Sequence, residues 1–182
     1  KDTEFSSLVT KIKSENPDLV YYGGMYNSGA LLSRQLSDAG VGAPMMGGDG
    51  MYDAEFIKLA GESAAAGDFT TNIGAPVDQL PKAAEFKEWW SAEYPTEEIA
   101  AYDPLTFDAT QAIINAVYVV AKASGVDSLF TAEGKAAIVA AVADSNFEGV
   151  TGTVSFDEKG DTNNKAVTLY TVKDGAWVPW TK

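Results

Sequence analysis

The sequence contains no cysteine and no histidine. Without a thiol there is no disulfide and no thiolate nucleophile. Without imidazole there is no Ser-His-Asp triad, and without both there is no thiolate–imidazole zinc site. Most familiar hydrolase and oxidoreductase machinery is thereby removed, and the lack of cysteine is compatible with export. Basic residues are scarce: 13 Lys and Arg stand against 26 Asp and Glu, a net charge of -13. Such a surface repels phosphate backbones and anionic head groups, so nucleic acid is not an expected partner and bare membrane is a poor one. The same charge also suits a plain soluble acidic protein. No apolar run approaches the roughly 18 to 20 residues that a membrane-spanning helix needs. Neither a Gly-x-x-x-x-Gly-Lys-Ser/Thr phosphate loop nor a Gly-x-Gly-x-x-Gly fingerprint occurs, and no metal-ligand spacing is present, so no cofactor or metal is expected.

What is present suits a folded chain. Hydrophobic residues make up 46%, with 8 Phe, 8 Tyr and 4 Trp to fill a core, while charged residues are 21%. A length of 182 residues suggests one domain or little more. The chain starts at Lys1 and opens directly into a helix, which reads as a piece of a longer precursor.

Phe5, Leu8, Val9 and Ile12 recur at helical spacing until Asn16-Pro17-Asp18, predicting a helix over 4–15. Leu19 to Tyr22 is a short apolar and aromatic run ended by Gly23-Gly24, the pattern of a strand buried on both faces. Ser28 is placed to cap a second helix that Gly40 closes. Pro44-Met45-Met46 is a second strand, ended by Gly47-Gly48-Asp49-Gly50. Asp53 opens a short helix closed by Gly61, and 68–72 is a third strand. This alternation implies right-handed crossovers and a parallel sheet with helices on both faces.

Further helices are expected from Pro81 to Tyr94, over 104–123 and over 132–144. The second carries Phe107, Ile113, Ile114, Val117 and Val120 on its apolar side, and the third turns Ile138, Ala141 and Val142 inward. After 150 the pattern alternates, and Asp174-Gly175 is a strong hairpin turn. There is no internal repeat.

Open parallel sheets bind ligands beyond the carboxyl ends of their strands. Two such ends are marked by glycine pairs, at Gly23-Gly24-Met25-Tyr26 and Gly47-Gly48-Asp49-Gly50. Glycine permits close approach of a ligand to the backbone. Asp49 is the one carboxylate whose placement suggests a specific role. It could pair with a bound ammonium, or it could be a turn aspartate bonding its own backbone. Spacing alone leaves both open. Asp157 to Asp161 resembles a calcium loop but lacks the ligand spacing and distal Glu, and reads as a hairpin turn. Trp89-Trp90 and Tyr21-Tyr22 read as packing rather than a sugar platform. Asp103 reads as the charge partner of a helix N-terminus, and Tyr102 sits where a chain crossing between lobes would pass a cleft.

Val20-Tyr21-Tyr22-Gly23-Gly24, the helix containing Arg34-Gln35, Met45 to Gly50, and Val154 to Asp161 follow one another in an order that resembles the leucine/isoleucine/valine-binding family of ABC-transporter solute-binding proteins. The resemblance runs from about Thr3 to the end. It implies a type I periplasmic binding protein fold, three-layer α/β/α with a mostly parallel sheet, present as the carboxy-terminal half of two lobes that close on a ligand. On that basis 1–96 would belong to the carboxy-terminal lobe, 97–163 would return to the amino-terminal lobe, and 164–182 would rejoin the first. Asp49 matches the family acid that pairs with the ligand's ammonium, and Gly48 and Gly50 flank it. Tyr102 matches an aromatic that walls the side-chain pocket. Met25 falls where some members place an aromatic over the ligand, a departure for which neighbouring Tyr26 is a substitute. The family's groups for the α-carboxylate lie upstream of this sequence.

The resemblance implies an extracytoplasmic binding module with no catalytic residues. Its partners would be a small amino acid, branched-chain or similar, an ABC permease in the membrane, and the amino-terminal half of the same protein. Two alternatives are a sensory ligand-binding domain of the same fold and a carboxylate-based glycosidase. The glycosidase needs a second acid roughly 5 to 9.5 Å from Asp49, which nothing in the sequence identifies.

Overall fold

The computed structural model describes residues 3–181. In chain order its elements are α1 (Ser6–Glu15), β1 (Val20–Tyr22), α2 (Tyr26–Asp38), β2 (Met45–Gly47), α3 (Ala54–Ala60), α4 (Glu62–Ala65), β3 (Phe69–Ile73), α5 (Ala83–Glu93), α6 (Asp103–Ser124), α7 (Ala132–Ala143), β4 (Asn146–Glu148), β5 (Thr153–Ser155), β6 (Val167–Lys173) and β7 (Ala176–Pro179). They form two compact units, one of residues 1–73 with 167–182 and one of 74–166. The division therefore falls at Ile73/Gly74 and Ala166/Val167, where the sequence suggested 96/97 and 163/164. The reason is packing. Leu80 and Phe86 share a small core with Val150, so the segment around α5 is held inside the second unit.

The first unit is built on a five-stranded sheet of order β1-β2-β3-β6-β7. Its first three strands are parallel, and β6 and β7 add to β3 as an antiparallel extension. The extension is a hairpin because Asp174 (φ 52°) and Gly175 (φ 74°) both take left-handed backbone conformations, the geometry of a two-residue turn matched to strand twist. α1 ends on Asn16, also left-handed at φ 46°. Asp53 caps α3 by accepting a hydrogen bond from the Glu55 amide at 2.8 Å, and Gly61 closes that helix. Ser28 does not cap α2: the helix starts two residues earlier, at Tyr26, with Met25 before it.

All four helices of this unit contribute to one core with the inner side of the sheet: Val9, Leu32, Leu36, Phe56 and Ala65 meet Met45 and Val172, and Val20, Tyr22 and Trp177 pack against them. β1 is therefore not buried on both faces. Tyr21 alternates to the other side and is 68% exposed, and its row across the sheet continues through half-buried Met46, Phe69, Thr171 and Val178. The sequence predicted a fully covered strand because the four-residue run Leu19 to Tyr22 is apolar or aromatic throughout and shows no alternation, and β1 is an edge strand.

The second unit comprises α5, α6, α7 and the β4–β5 hairpin. The buried row of α6 is Pro104, Asp108, Ala112, Ala116 and Val120. Of the residues expected there only Val120 is buried; Ile113 and Ile114 are exposed. α6 packs beside α7, and the residues it buries at mid-helix are the small Ala112 and Ala116. Trp89 and Trp90 join Phe86, Tyr94 and Phe107 in an aromatic cluster. Asp157 folds its loop by accepting from the Lys159 and Asp161 amides, each at 2.9 Å, so the residues resembling a calcium loop form a turn. Those two bonds, more than the nearby Lys165, hold its carboxyl below the usual range.

Candidate functional site

Because β1 and β2 are parallel and in register from Val20↔Met45 to Tyr22↔Gly47, their carboxyl ends lie at one edge of the sheet. The glycine loops that follow are in contact there. A Cβ on Gly50 would sit 2.9 Å from the Gly24 carbonyl oxygen and 3.0 Å from Met25 Sδ. Space, rather than a left-handed conformation, thus demands glycine at 50. A Cβ on Gly48 would meet nothing within 4 Å, so the backbone there is open to an approaching group.

Asp49 is the first residue of a single 3-10 turn, Asp49–Met51, and is exposed at this lip. The turn is fixed from several sides. The Met51 amide donates to the Gly48 carbonyl at 3.0 Å and the Tyr52 amide to the Asp49 carbonyl at 2.9 Å. Thr70, fully buried on β3, donates its hydroxyl to the same Gly48 oxygen at 2.7 Å. Met51 is fully buried beneath the turn. The Tyr52 ring lies 4.4 Å from that of Tyr170 on β6, and burial followed by the nearby Tyr170 phenol pushes the Tyr52 phenol up. The carboxylate is therefore carried on a backbone held by β2, β3 and β6.

Met25 stands beside Gly50 at the lip and is 58% exposed, whereas Tyr26 is half-buried and packs against the core. The structure thus brings Gly24, Met25, Gly48, Asp49 and Gly50 together in the first unit. Tyr102 lies in the second, as the residue before α6, and is exposed. Its carbonyl accepts from the Thr106 amide at 2.8 Å. Asp103 opens α6 as expected and also accepts from the Ala100 amide at 2.7 Å.

Thr70 and Tyr52 were not singled out from the sequence. The one available signal was a hydroxyl in the middle of a buried strand, which requires a partner. A cavity of about 370 Å³ lies at the opposite edge of the sheet, beside the amino ends of β2 and β3. It is lined by Ser33, Met45, Ser63 and Asp68. Among the described residues no cluster of three or more acidic side chains is placed to hold a metal ion, and no helix is long and apolar enough to cross a membrane.

Residues 1–176 match a family described as periplasmic binding protein. The chain is 32% identical over 175 residues to a Leu/Ile/Val-binding protein homolog of Brucella melitensis, covering 96% of this chain and 44% of the relative. Its fold matches a leucine-binding protein of Thermotoga maritima with a TM-score of 0.82 at 28% identity, over 99% of this chain and 48% of that one. It also matches a branched-chain amino acid transporter substrate-binding protein of Streptococcus pneumoniae, solved with isoleucine, with a TM-score of 0.74 at 25% identity. That match covers 98% of this chain and 49% of the other. The chain thus spans less than half the length of these relatives, and its architecture is that of type I periplasmic binding proteins. It belongs to the periplasmic binding protein family.

Proposed function

We propose that this chain is the carboxy-terminal part of an extracytoplasmic solute-binding component of an ABC importer, and that it takes the ammonium end of a small amino acid, branched-chain or similar. One observation carries the reading. A carboxylate flanked by glycines stands at the carboxyl end of a parallel strand, on a turn locked by a buried hydroxyl at 2.7 Å from the Gly48 carbonyl. Relatives named for binding leucine, isoleucine and valine support it.

In this proposal Asp49 pairs with the ligand ammonium. Gly48 and Gly50 let the ligand approach the backbone, Met25 covers it, and half-buried Tyr26 beside it supplies the aromatic that position 25 lacks. Tyr102 walls the side-chain pocket. The first unit would be the carboxy-terminal lobe and the second a return into the amino-terminal lobe, with crossings at 73/74 and 166/167. The remaining lobe and the groups for the ligand's α-carboxylate would come from the amino-terminal half of the same protein, and a membrane permease would receive the closed form. Exposed Asp49 suits such a role, since a carboxylate kept hydrated before closure is desolvated only against its counter-charge.

Calorimetry on the full-length protein with leucine, isoleucine and valine tests this. Asp49→Asn is expected to weaken binding by about 1 to 3 kcal/mol, because a buried ammonium loses its counter-charge. Unchanged affinity would remove Asp49 from the site.

A further inference from the structure

We infer that the cavity at the amino ends of β2 and β3 is a binding site in its own right, and that it takes a small primary ammonium carried on a short apolar body. Asp68, immediately before β3, lines the cavity and is 4% exposed. Its oxygens accept from the Ser33 hydroxyl at 2.6 Å and from the Met45 amide at 2.7 Å. An ionised carboxylate offers about four acceptor positions, so further donors can be received. Both present donors are neutral. Among the described residues Asp68 enters no ion pair, and neither Lys nor Arg lines the cavity. A buried carboxylate is ordinarily paired with a cation, and this chain supplies none. A purely structural role does not call for the charge, because an amide at 68 would make the same two bonds without it.

The lining selects the ligand. An ammonium has three N–H donors and no acceptor. Ser37 on α2 and Ser63 on α4, both exposed, add hydroxyl oxygens to the carboxylate at the cavity wall. Leu36, Val41 and Pro44 give an apolar wall for a short carbon chain. A volume of about 370 Å³ is in the range of small-molecule pockets and far exceeds what a bare ion fills. Asp68 is the sole acid on the lining, too little for a divalent metal. Burial raises its carboxyl to about 6, a cost that a docked cation relieves. Every lining residue belongs to the first unit, so the site is complete without the second and stands apart from Asp49 at the other edge of the sheet.

The test is calorimetry on the full-length protein at pH 8 with n-propylammonium chloride. Tetramethylammonium chloride, which has the charge but no N–H, and sodium chloride are the controls. Saturable binding of propylammonium, at least about 10-fold tighter than that of tetramethylammonium, is the expected result. Asp68→Asn is expected to weaken it by at least about 10-fold while leaving leucine affinity unchanged. Ser37→Ala with Ser63→Ala alters only exposed hydroxyls and is expected to weaken it by at least about 3-fold. This pair decides the matter if thermal melts show that Asp68→Asn does not fold. Asp49→Asn checks for capture of the amine at the other carboxylate. Absence of saturable binding, an equal response to either control salt, or full binding by Asp68→Asn or by the serine pair would overturn the site. So would loss of propylammonium binding in Asp49→Asn.

Discussion

The hydroxyl of Thr70 lies 2.7 Å from the carbonyl oxygen of Gly48, so the middle of β3 holds the residue immediately before Asp49. Thr70 is fully buried. Thr70→Val keeps its shape and removes the donor, and is expected to lower stability by about 1 to 2 kcal/mol. If the turn carries the ligand acid, the same change in the full-length protein weakens amino-acid binding, while Thr70→Ser retains most of it. Thermal unfolding and calorimetry on the pair separate the hydroxyl from the methyl.

Gly50→Ala and Gly23→Ala make a controlled comparison. At 50 the added carbon meets the Gly24 carbonyl oxygen at 2.9 Å, and backbone does not swing aside as a side chain does. At 23 it meets nothing within 4 Å. Gly50→Ala is expected to cost roughly 1 to 3 kcal/mol, the usual range for overpacking. Gly23→Ala should leave the melting temperature nearly unchanged.

Asp68, 4% exposed, accepts from the Ser33 hydroxyl at 2.6 Å and from the Met45 amide at 2.7 Å. Burial outweighs these two bonds and pushes its carboxyl up from 3.8 to about 6. The folded chain therefore holds this proton more tightly than the unfolded chain. Ionisation of Asp68 opposes folding above about pH 6, and that opposition fades as pH falls toward 4. Asn offers the same carbonyl to Met45 and an amide donor to Ser33 without a charge. Asp68→Asn is expected to stabilise the chain at pH 8 by on the order of 3 kcal/mol. The advantage should vanish near pH 4 in paired thermal melts.

Asp108 ties α6 to the loop between β4 and β5. It accepts from the Val150 and Thr151 amides, each at 2.8 Å, and from the Thr151 hydroxyl at 2.7 Å. Asp108→Ala leaves those donors without a protein acceptor and is expected to cost roughly 2 to 4 kcal/mol. Gly149→Ala should damage the same joint, because its new carbon would run into the Asp108 carboxylate. Amide hydrogen exchange at 149–151 is the measurement, with faster exchange in both variants.

Local signals carried the reading of the elements. Asp174-Gly175 specifies its turn by backbone chemistry, and Asp53 caps α3 through its own side chain. The glycine pairs at the carboxyl ends of β1 and β2 were legible as strand ends. What failed had no local signal. α6 is apolar on several sides, so periodicity pointed to Ile113 and Ile114 while packing chose Ala112 and Ala116. Tyr21 lies in an apolar run too short to show which side chain faces out.

The sequence by itself determined the main helices, the strands of the larger sheet and the Asp174-Gly175 turn, and which carboxylate stands among glycines at a strand end, because capping, chain reversal and glycine's lack of a side chain act over a few residues. Only the tertiary structure decided that Thr70 holds Gly48, that Gly50 abuts Gly24, that α5 belongs with Val150, and which face of α6 is covered. Those outcomes depend on which surfaces meet, and in the folded chain the meeting partners are set by the whole topology rather than by neighbours in sequence.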